Sequence, residues 1–388
     1  MLKSEKVYFP NLDGLRFIAF LLVFLQHGFY IFFKNFEGVS FFTDQMIRLL
    51  FVNGGTGVQI FFVLSGFLIT YLILKEVEYK GRLNLSFFYM RRTLRIWPLY
   101  FATVLFAFVI YPFLKGLLGI HSDLCSRPWY YFTFLSNFDS IHIAKSCPGR
   151  DAMTQGIVWS VSIEEQFYLF WPVLFFTFPR KMYWAIFPLV IFASLAFKLF
   201  NRTDETVLYF HTLSVVSDLA IGGLAAWLML NASRLRTLIG EQSKTFIIGC
   251  YLLIAAVLFF NDLIFTFKGS TIAYRLITDF FWAYIIIEQN FSKHSFYKLG
   301  SFKTITYWGK YTYGLYMLHP VAILIVDILD RVMHLNVPVY WMLTMKGIVS
   351  FALSLLIARL SFHLFEMPFL RLKEKFTVVR NKSLKAAA

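Results

Sequence analysis

Two histidines, one glutamate and a run of arginines stand out in this chain, because each lies inside or beside a long apolar run. His27 sits in the first run, with Asp13 and Arg16 nearer its start. Glu164 follows Trp159-Ser160-Val161-Ser162-Ile163 at the start of another. His319 precedes Pro320 in a third, three residues after Tyr316. Arg91, Arg92 and Arg95 lead into a fourth. An ionisable group in a bilayer is costly and asks for a reason. An imidazole of ordinary basicity suits general acid–base work near neutral pH. A carboxylate beside it would fix its tautomer and stabilise the imidazolium. Planar guanidinium forks suit phosphate oxygens.

His27 lies 14 residues beyond Asp13, or roughly 21 Å along a helix. Its partner must therefore come from another segment. Glu164 is the expected partner: His27 lies about six residues from the outer end of its span and Glu164 about five from the outer start of its own, which predicts nearly equal depth. A structural His–Glu tie between helices is the competing reading. For the arginines the competing reading is contact with anionic lipid headgroups. Asp13 is placed equally well to cap the first helix. Ser65, in Phe61-Phe62-Val63-Leu64-Ser65-Gly66-Phe67, either lines a substrate path or bonds its own backbone. Pro320 is expected to kink its helix and free a backbone carbonyl. No Cys/His/Asp set has the spacing of a metal site.

These residues must be positioned by membrane helices. Of 388 residues, 58% are hydrophobic and 15% charged, and 48 are Phe. A soluble domain has about 25% charged residues and cannot hide so much apolar surface. Ten spans are expected, near residues 12–33, 51–74, 96–118, 159–178, 184–200, 207–230, 245–260, 270–288, 307–329 and 340–368. The fifth and seventh are short for a ~30 Å hydrocarbon core. All-round apolarity favours helices over a β-barrel. The fold class is all-α, a polytopic transmembrane helical bundle.

The net charge is +15. Its basic residues lie mostly in short segments between spans, which points to orientation in a membrane and not to nucleic acid. With both termini in the cytoplasm, the clusters Lys75–Arg95, Lys293–Lys310 and Arg371–Lys385 fall inside, as do Lys3 and Lys6. Residues 1–370 then form the transmembrane domain and 371–388 a basic cytoplasmic tail. Gln26, His27 and the lack of a small-residue cleavage pattern argue that the first run is a span and not a signal peptide. Cys125 and Cys147 share the longest outer segment; a disulfide and two free thiols are both open readings.

Five segments in order resemble the membrane-bound acyltransferase family 3, which includes O-antigen, peptidoglycan, Nod-factor and macrolide O-acyltransferases. They are Leu12-Asp13-Gly14-Leu15-Arg16 with His27; Gly55-Thr56-Gly57-Val58 through Ile69; Arg91 to Pro98; Trp159-Ser160 to Trp171-Pro172; and Tyr313-Gly314-Leu315-Tyr316 to His319. The resemblance implies a ten-helix core in a bacterial inner membrane. It would take an acyl group, often acetyl, from cytoplasmic acyl-CoA and pass it to a hydroxyl of an envelope glycan or its lipid-linked sugar precursor. It also implies an essential histidine at His27 and a family glutamate at Glu164.

On this reading Arg16, Arg91, Arg92 and Arg95 hold the donor's phosphates, with Ser65 along its path. His27 is the general base, oriented by Glu164. His319, Tyr316 or a backbone donor near Pro320 holds the oxyanion. A covalent acyl-histidine is an alternative. Some members carry an outer esterase-like domain after the core; the length of this chain makes the two-domain peptidoglycan type the less expected form. A succinyl transferase, a transporter of an anionic substrate and a structural scaffold are the rival readings.

Overall fold

A computed structural model describes residues 8–33, 41–117, 125–147, 156–267, 269–333 and 339–377. Lys3, Lys6 and residues 378–388 of the expected tail lie outside them. Ten helices of 16 residues or more occur among the described residues. They are α1 (Pro10–Phe33), α2 (Gly54–Lys80), α3 (Leu85–Leu105), α4 (Val158–Thr177), α5 (Tyr183–Phe200), α6 (Thr212–Asn231), α7 (Lys244–Phe259), α8 (Ser270–Phe291), α9 (Thr312–Met333) and α10 (Val339–Ser361). No strand occurs among the described residues. The chain is a polytopic helical bundle.

Among the described residues, eight segments are long and apolar enough to cross a membrane, and a ninth forms if Ser233–Gly240 and α7, which meet at 94°, are one broken span. α4 has the length but falls short in hydropathy: it carries Glu164, Glu165 and Gln166 in its second and third turns. These polar side chains dilute the apolar signal of the span that holds them.

Helix ends follow local chemistry. Asn84 caps α3 by accepting from the Phe87 amide at 3.0 Å. Ser243 caps α7 through the Phe246 amide at 3.2 Å. Gly81, at φ 81°, ends α2 and returns its amide to the Val77 carbonyl. α3 begins eleven residues before the expected span and continues past a π-helical turn at Phe106–Ile110 to Leu117. Arg91, Arg92 and Arg95 therefore lie within a continuous helix, not in a loop leading to one.

The bundle has two distinguishable ends. α1 begins and α2 finishes at the end rich in lysine and arginine, called here the basic end. At the other, Cys125 and Cys147 are joined in a disulfide, which settles the two open readings of these thiols. The loop they close holds the short helices Pro128–Phe132 and Ser136–Ser146. Lys145 of this loop pairs with Asp204 at 2.5 Å. That contact holds the Asp204 carboxyl below its usual range.

α2 is the central helix, packing on α1 and α6. Gly66 lies so close to α6 that an added Cβ would fall inside the Leu219 carbonyl, and Gly222 stands likewise against the Val63 carbonyl. Small residues permit this backbone approach where lipid supplies no hydrophobic drive between helices. α1 and α2 run antiparallel. Their register is fixed by the Gly54 amide donating to Gln26 Oε1 at 2.5 Å and by Gly57 against Ala19 and Val23. Three apolar clusters fill the interior, and Phe61 of α2 packs against all three.

A buried ionic knot ties α5, α6, α8 and α2. Asp218 accepts two bonds from Arg275, at 2.7 and 3.0 Å, and lies 4.0 Å from Lys198. Lys198 also donates to Ser217 at 2.9 Å. Gln59 donates to Asp279 at 2.7 Å. Lys198, near the end of the expected fifth span, is 1% exposed.

Candidate functional site

α9 carries the first constraint. Pro320 has no amide proton, so the carbonyl four residues earlier, that of Tyr316, loses its helical partner. His319 Nδ1 lies 2.8 Å from that oxygen. A carbonyl only accepts, so Nδ1 carries the proton and Nε2 is left with a lone pair. The helix runs through Pro320 without a break, because the side chain before the proline takes the orphaned carbonyl. The expected freed carbonyl is thus occupied.

His319 Nε2 faces His27 Nδ1 at 2.9 Å. With Nε2 an acceptor, His27 Nδ1 must be the donor. His27 Nε2 is then the unprotonated nitrogen. One missing proline amide sets the tautomers of two histidines in sequence, ending on a free base nitrogen. His319 is buried, flanked edge-on by Phe20 and Phe24 of α1.

The expected His27–Glu164 pair does not form. The Glu164 carboxylate accepts from Ser65 and Tyr168, each at 2.8 Å. The register explains why. Gln26 stands opposite Gly54, so α1 overshoots the start of α2 by about seven residues, roughly 10 Å. Counting inward from each span's end assumed that the ends are level. Glu164 and Ser65 share a cavity with Arg16, eleven residues from His27 along α1, about 16 Å. The two sites lie at different depths.

That cavity measures about 170 Å³. It follows α2 from Val58 to Leu72, about 21 Å. Arg16, Arg92, Arg95, Glu164, Tyr168 and Tyr313 give it a polar inner half. Val58, Phe61, Ser160 and Tyr316 line its other end. A second cavity of about 140 Å³ at the basic end shares Arg16, Arg95, Leu68, Leu72 and Tyr313 with the first, and adds Asp13, Lys310, Glu366 and Lys373. The two form one path from the basic end to the middle of the bundle.

The charges along this path are unbalanced. Arg16 is bound to Asp13 at 2.5 Å. The side chains of Arg92, Arg95, Lys310 and Lys373 make no hydrogen bond or ion pair with a described residue. Arg92 rests on the rings of Phe88 and Tyr168, with its Nε buried and unsatisfied. Arg95 is exposed and Arg92, Lys310 and Lys373 are partly exposed, all along this path. Their convergence on a cavity fits a polyanionic ligand.

Arg91 departs from its expected role. It pairs with Glu76 at 2.7 Å and donates to the Phe376 carbonyl at 2.9 Å, pinning the C-terminal segment to α3. Ser65 does line the cavity, but its hydroxyl is given to Glu164. Tyr316 and Ser160 hydroxyls lie 2.6 Å apart and share the Ile157 carbonyl. His319 offers no free donor for an oxyanion, since both ring nitrogens are engaged. Sequence reasoning missed Tyr168, Tyr313, Lys310, Glu366 and Lys373. Tyr168 was findable, four residues from Glu164 on one helix face. Lys310 and Lys373 had been read only as markers of orientation.

Residues 9–359 match the family described as an acyltransferase domain. The chain is 28% identical to the peptidoglycan O-acetyltransferase of Listeria monocytogenes over 393 residues, 94% of this chain and 56% of that protein. It is 29% identical to a Bacillus subtilis protein provisionally named for the same activity, covering 93% of this chain and 55% of that one. A Staphylococcus aureus protein provisionally named an O-acetyltransferase is 26% identical, at 93% and 57% coverage. The chain thus spans little more than half the length of these relatives. Two of them carry a peptidoglycan O-acetyltransferase name. No solved structure matches the chain.

Proposed function

The chain belongs to the acyltransferase family, and from that premise we propose that it moves an acyl group, acetyl first, from acyl-CoA to a hydroxyl of an envelope glycan. The observation that carries the donor assignment is the set of four unpaired cations along a cavity open at the basic end. Acyl-CoA is a polyanion bearing a thioester on a long thin arm. Arg92, Arg95, Lys310 and Lys373, with Arg16, face its phosphates, and the arm follows α2 inward. The positive-inside bias puts this mouth, and both termini, on the cytoplasmic side of the inner membrane. The acceptor approaches from the disulfide end. The peptidoglycan name of two relatives makes a peptidoglycan hydroxyl the first acceptor to try.

His27 Nε2 takes the proton of the attacking hydroxyl as oxygen bonds to the thioester carbonyl carbon. The carbon–sulfur bond breaks, and the proton passes to the departing CoA sulfur. His319 Nε2, accepting from His27 Nδ1, stabilises the imidazolium formed in between. Here the second histidine fills the role expected of Glu164. Glu164 instead faces the cationic wall of the donor path with Ser65 and Tyr168.

The test uses purified protein in detergent with radiolabelled acetyl-CoA and isolated envelope glycans or lipid-linked precursors. Label is expected in the glycan and lost in the Arg92→Gln/Arg95→Gln double variant. Uptake of an anion into proteoliposomes with no thioester consumed would establish the transporter reading instead.

A further inference from the structure

The donor path ends at a built wall. Phe61 and Tyr316 meet edge to face, ring centroids 5.6 Å apart, at the end of the cavity away from its mouth. Tyr316 is fixed by its hydroxyl to Ser160 and the Ile157 carbonyl. Its ring lies 6.0 Å from that of His319, so the histidine pair adjoins the wall on the His319 side. Neither His27 nor His319 lines the cavity. Phe61 is held by all three apolar clusters of the interior, so swinging it aside disturbs each of them.

We infer that Phe61, backed by Tyr316, sets the length of acyl group this protein accepts. The inference rests on the donor reading above. An arm entering from the basic end presents its acyl carbons to Val58, Phe61 and Tyr316. A two-carbon group ends there with its methyl against the wall. Each added methylene must push into Phe61, which close-packed surroundings resist. The wall is apolar apart from the engaged Tyr316 and Ser160 hydroxyls, so it offers no cation to a terminal carboxylate. It therefore rejects succinyl as well as long chains.

The experiment is isothermal titration of the detergent-purified full chain with free CoA, acetyl-CoA, succinyl-CoA and hexanoyl-CoA. The wild type is expected to bind acetyl-CoA at least tenfold more tightly than hexanoyl-CoA or succinyl-CoA. Phe61→Ala should bring hexanoyl-CoA to within threefold of acetyl-CoA while leaving free CoA affinity unchanged. Phe61→Leu, which keeps the packing volume closer, should fall between and serves if the alanine variant does not fold. Equal wild-type binding of acetyl-CoA and hexanoyl-CoA overturns the inference. So does a preference for acetyl-CoA over hexanoyl-CoA that neither variant changes. If wild type binds none of the four, it is the donor reading that fails.

Discussion

In the proposed mechanism, His319 is the residue on which the reaction centre turns. Replacing it with Ala removes the acceptor 2.9 Å from His27 Nδ1 and leaves the Tyr316 carbonyl unpartnered. A hydrogen bond to a charged group contributes about 1.5–3 kcal/mol, and the imidazolium of His27 is such a group. At 1.36 kcal/mol per decade, His319→Ala should lower kcat by about 10- to 150-fold. His27→Ala removes the base itself and should cost about 10²- to 10⁴-fold. The double variant should be scarcely worse than His27→Ala, since the two act as one unit. KM for acyl-CoA should hold, because the proposed phosphate site lies elsewhere. His319→Gln keeps an amide oxygen to accept and an N–H to donate, and should recover part of the loss.

Pro320→Ala is the sharper perturbation. It restores a backbone N–H aimed at the Tyr316 carbonyl, in competition with His319 Nδ1. The helix should gain stability while kcat falls. The assay is transfer of labelled acetyl from acetyl-CoA to envelope glycan by purified variants, with folding checked by gel filtration in detergent. Wild-type turnover in His319→Ala would refute the reasoning. So would a double variant showing the full product of two large losses.

The cationic path predicts that Arg95→Gln raises KM for acetyl-CoA more than it lowers kcat, as loss of remote uniform binding does. Arg91→Gln should leave that KM alone and instead expose the C-terminal segment to protease, since it loses Glu76 and the Phe376 carbonyl. Gly66→Ala should destabilise the bundle by about 1–3 kcal/mol through overpacking, read as a lowered thermal midpoint in detergent, whereas Gly116→Ala, which meets nothing within 4 Å, should not. Asp204, held below its usual value of 3.8 mainly by Lys145, contributes stability that is present above the unfolded value and lost as pH falls through the lower folded one. Hydrogen exchange of Glu205–Phe210 should therefore accelerate below about pH 4, and Asp204→Asn should show fast exchange at all pH. Maleimide labelling of intact cells should reach a cysteine placed at Trp129 but not one at Arg82.

The spans were legible because nearly every side chain along them is apolar, and ten long helices appear where ten were expected. Their ends were less so: α3 starts eleven residues early because Leu85–Met90 packs as helix before the hydrophobic run begins. His27 was legible as a candidate from its cost in a bilayer. Its partner was not, because pairing depends on how far α1 overshoots α2, and Gln26 meeting Gly54 is a contact between helices that neither helix encodes alone. The tautomer argument was half visible, since Pro320 was expected to free a carbonyl; that His319 takes it requires the folded rotamer. The ionic knot was missed for a simpler reason. Asp218, Arg275 and Asp279 stand in apolar runs and should have been questioned like His27, but they lie outside the recognised segments.

That knot bears on how the protein is made. α5 brings Lys198, α6 brings Asp218, and α8 brings Arg275 and Asp279, so each helix reaches the membrane carrying charge that lipid does not neutralise. None of the three is at ease alone in hydrocarbon, and Asp218 finds its full complement only after α8 has been synthesised some fifty residues later. The earlier helices must therefore wait, either beside the insertion machinery or snorkelling at the interface. Truncation before α8 should leave a chain that the cell's quality-control proteases recognise by an orphaned aspartate.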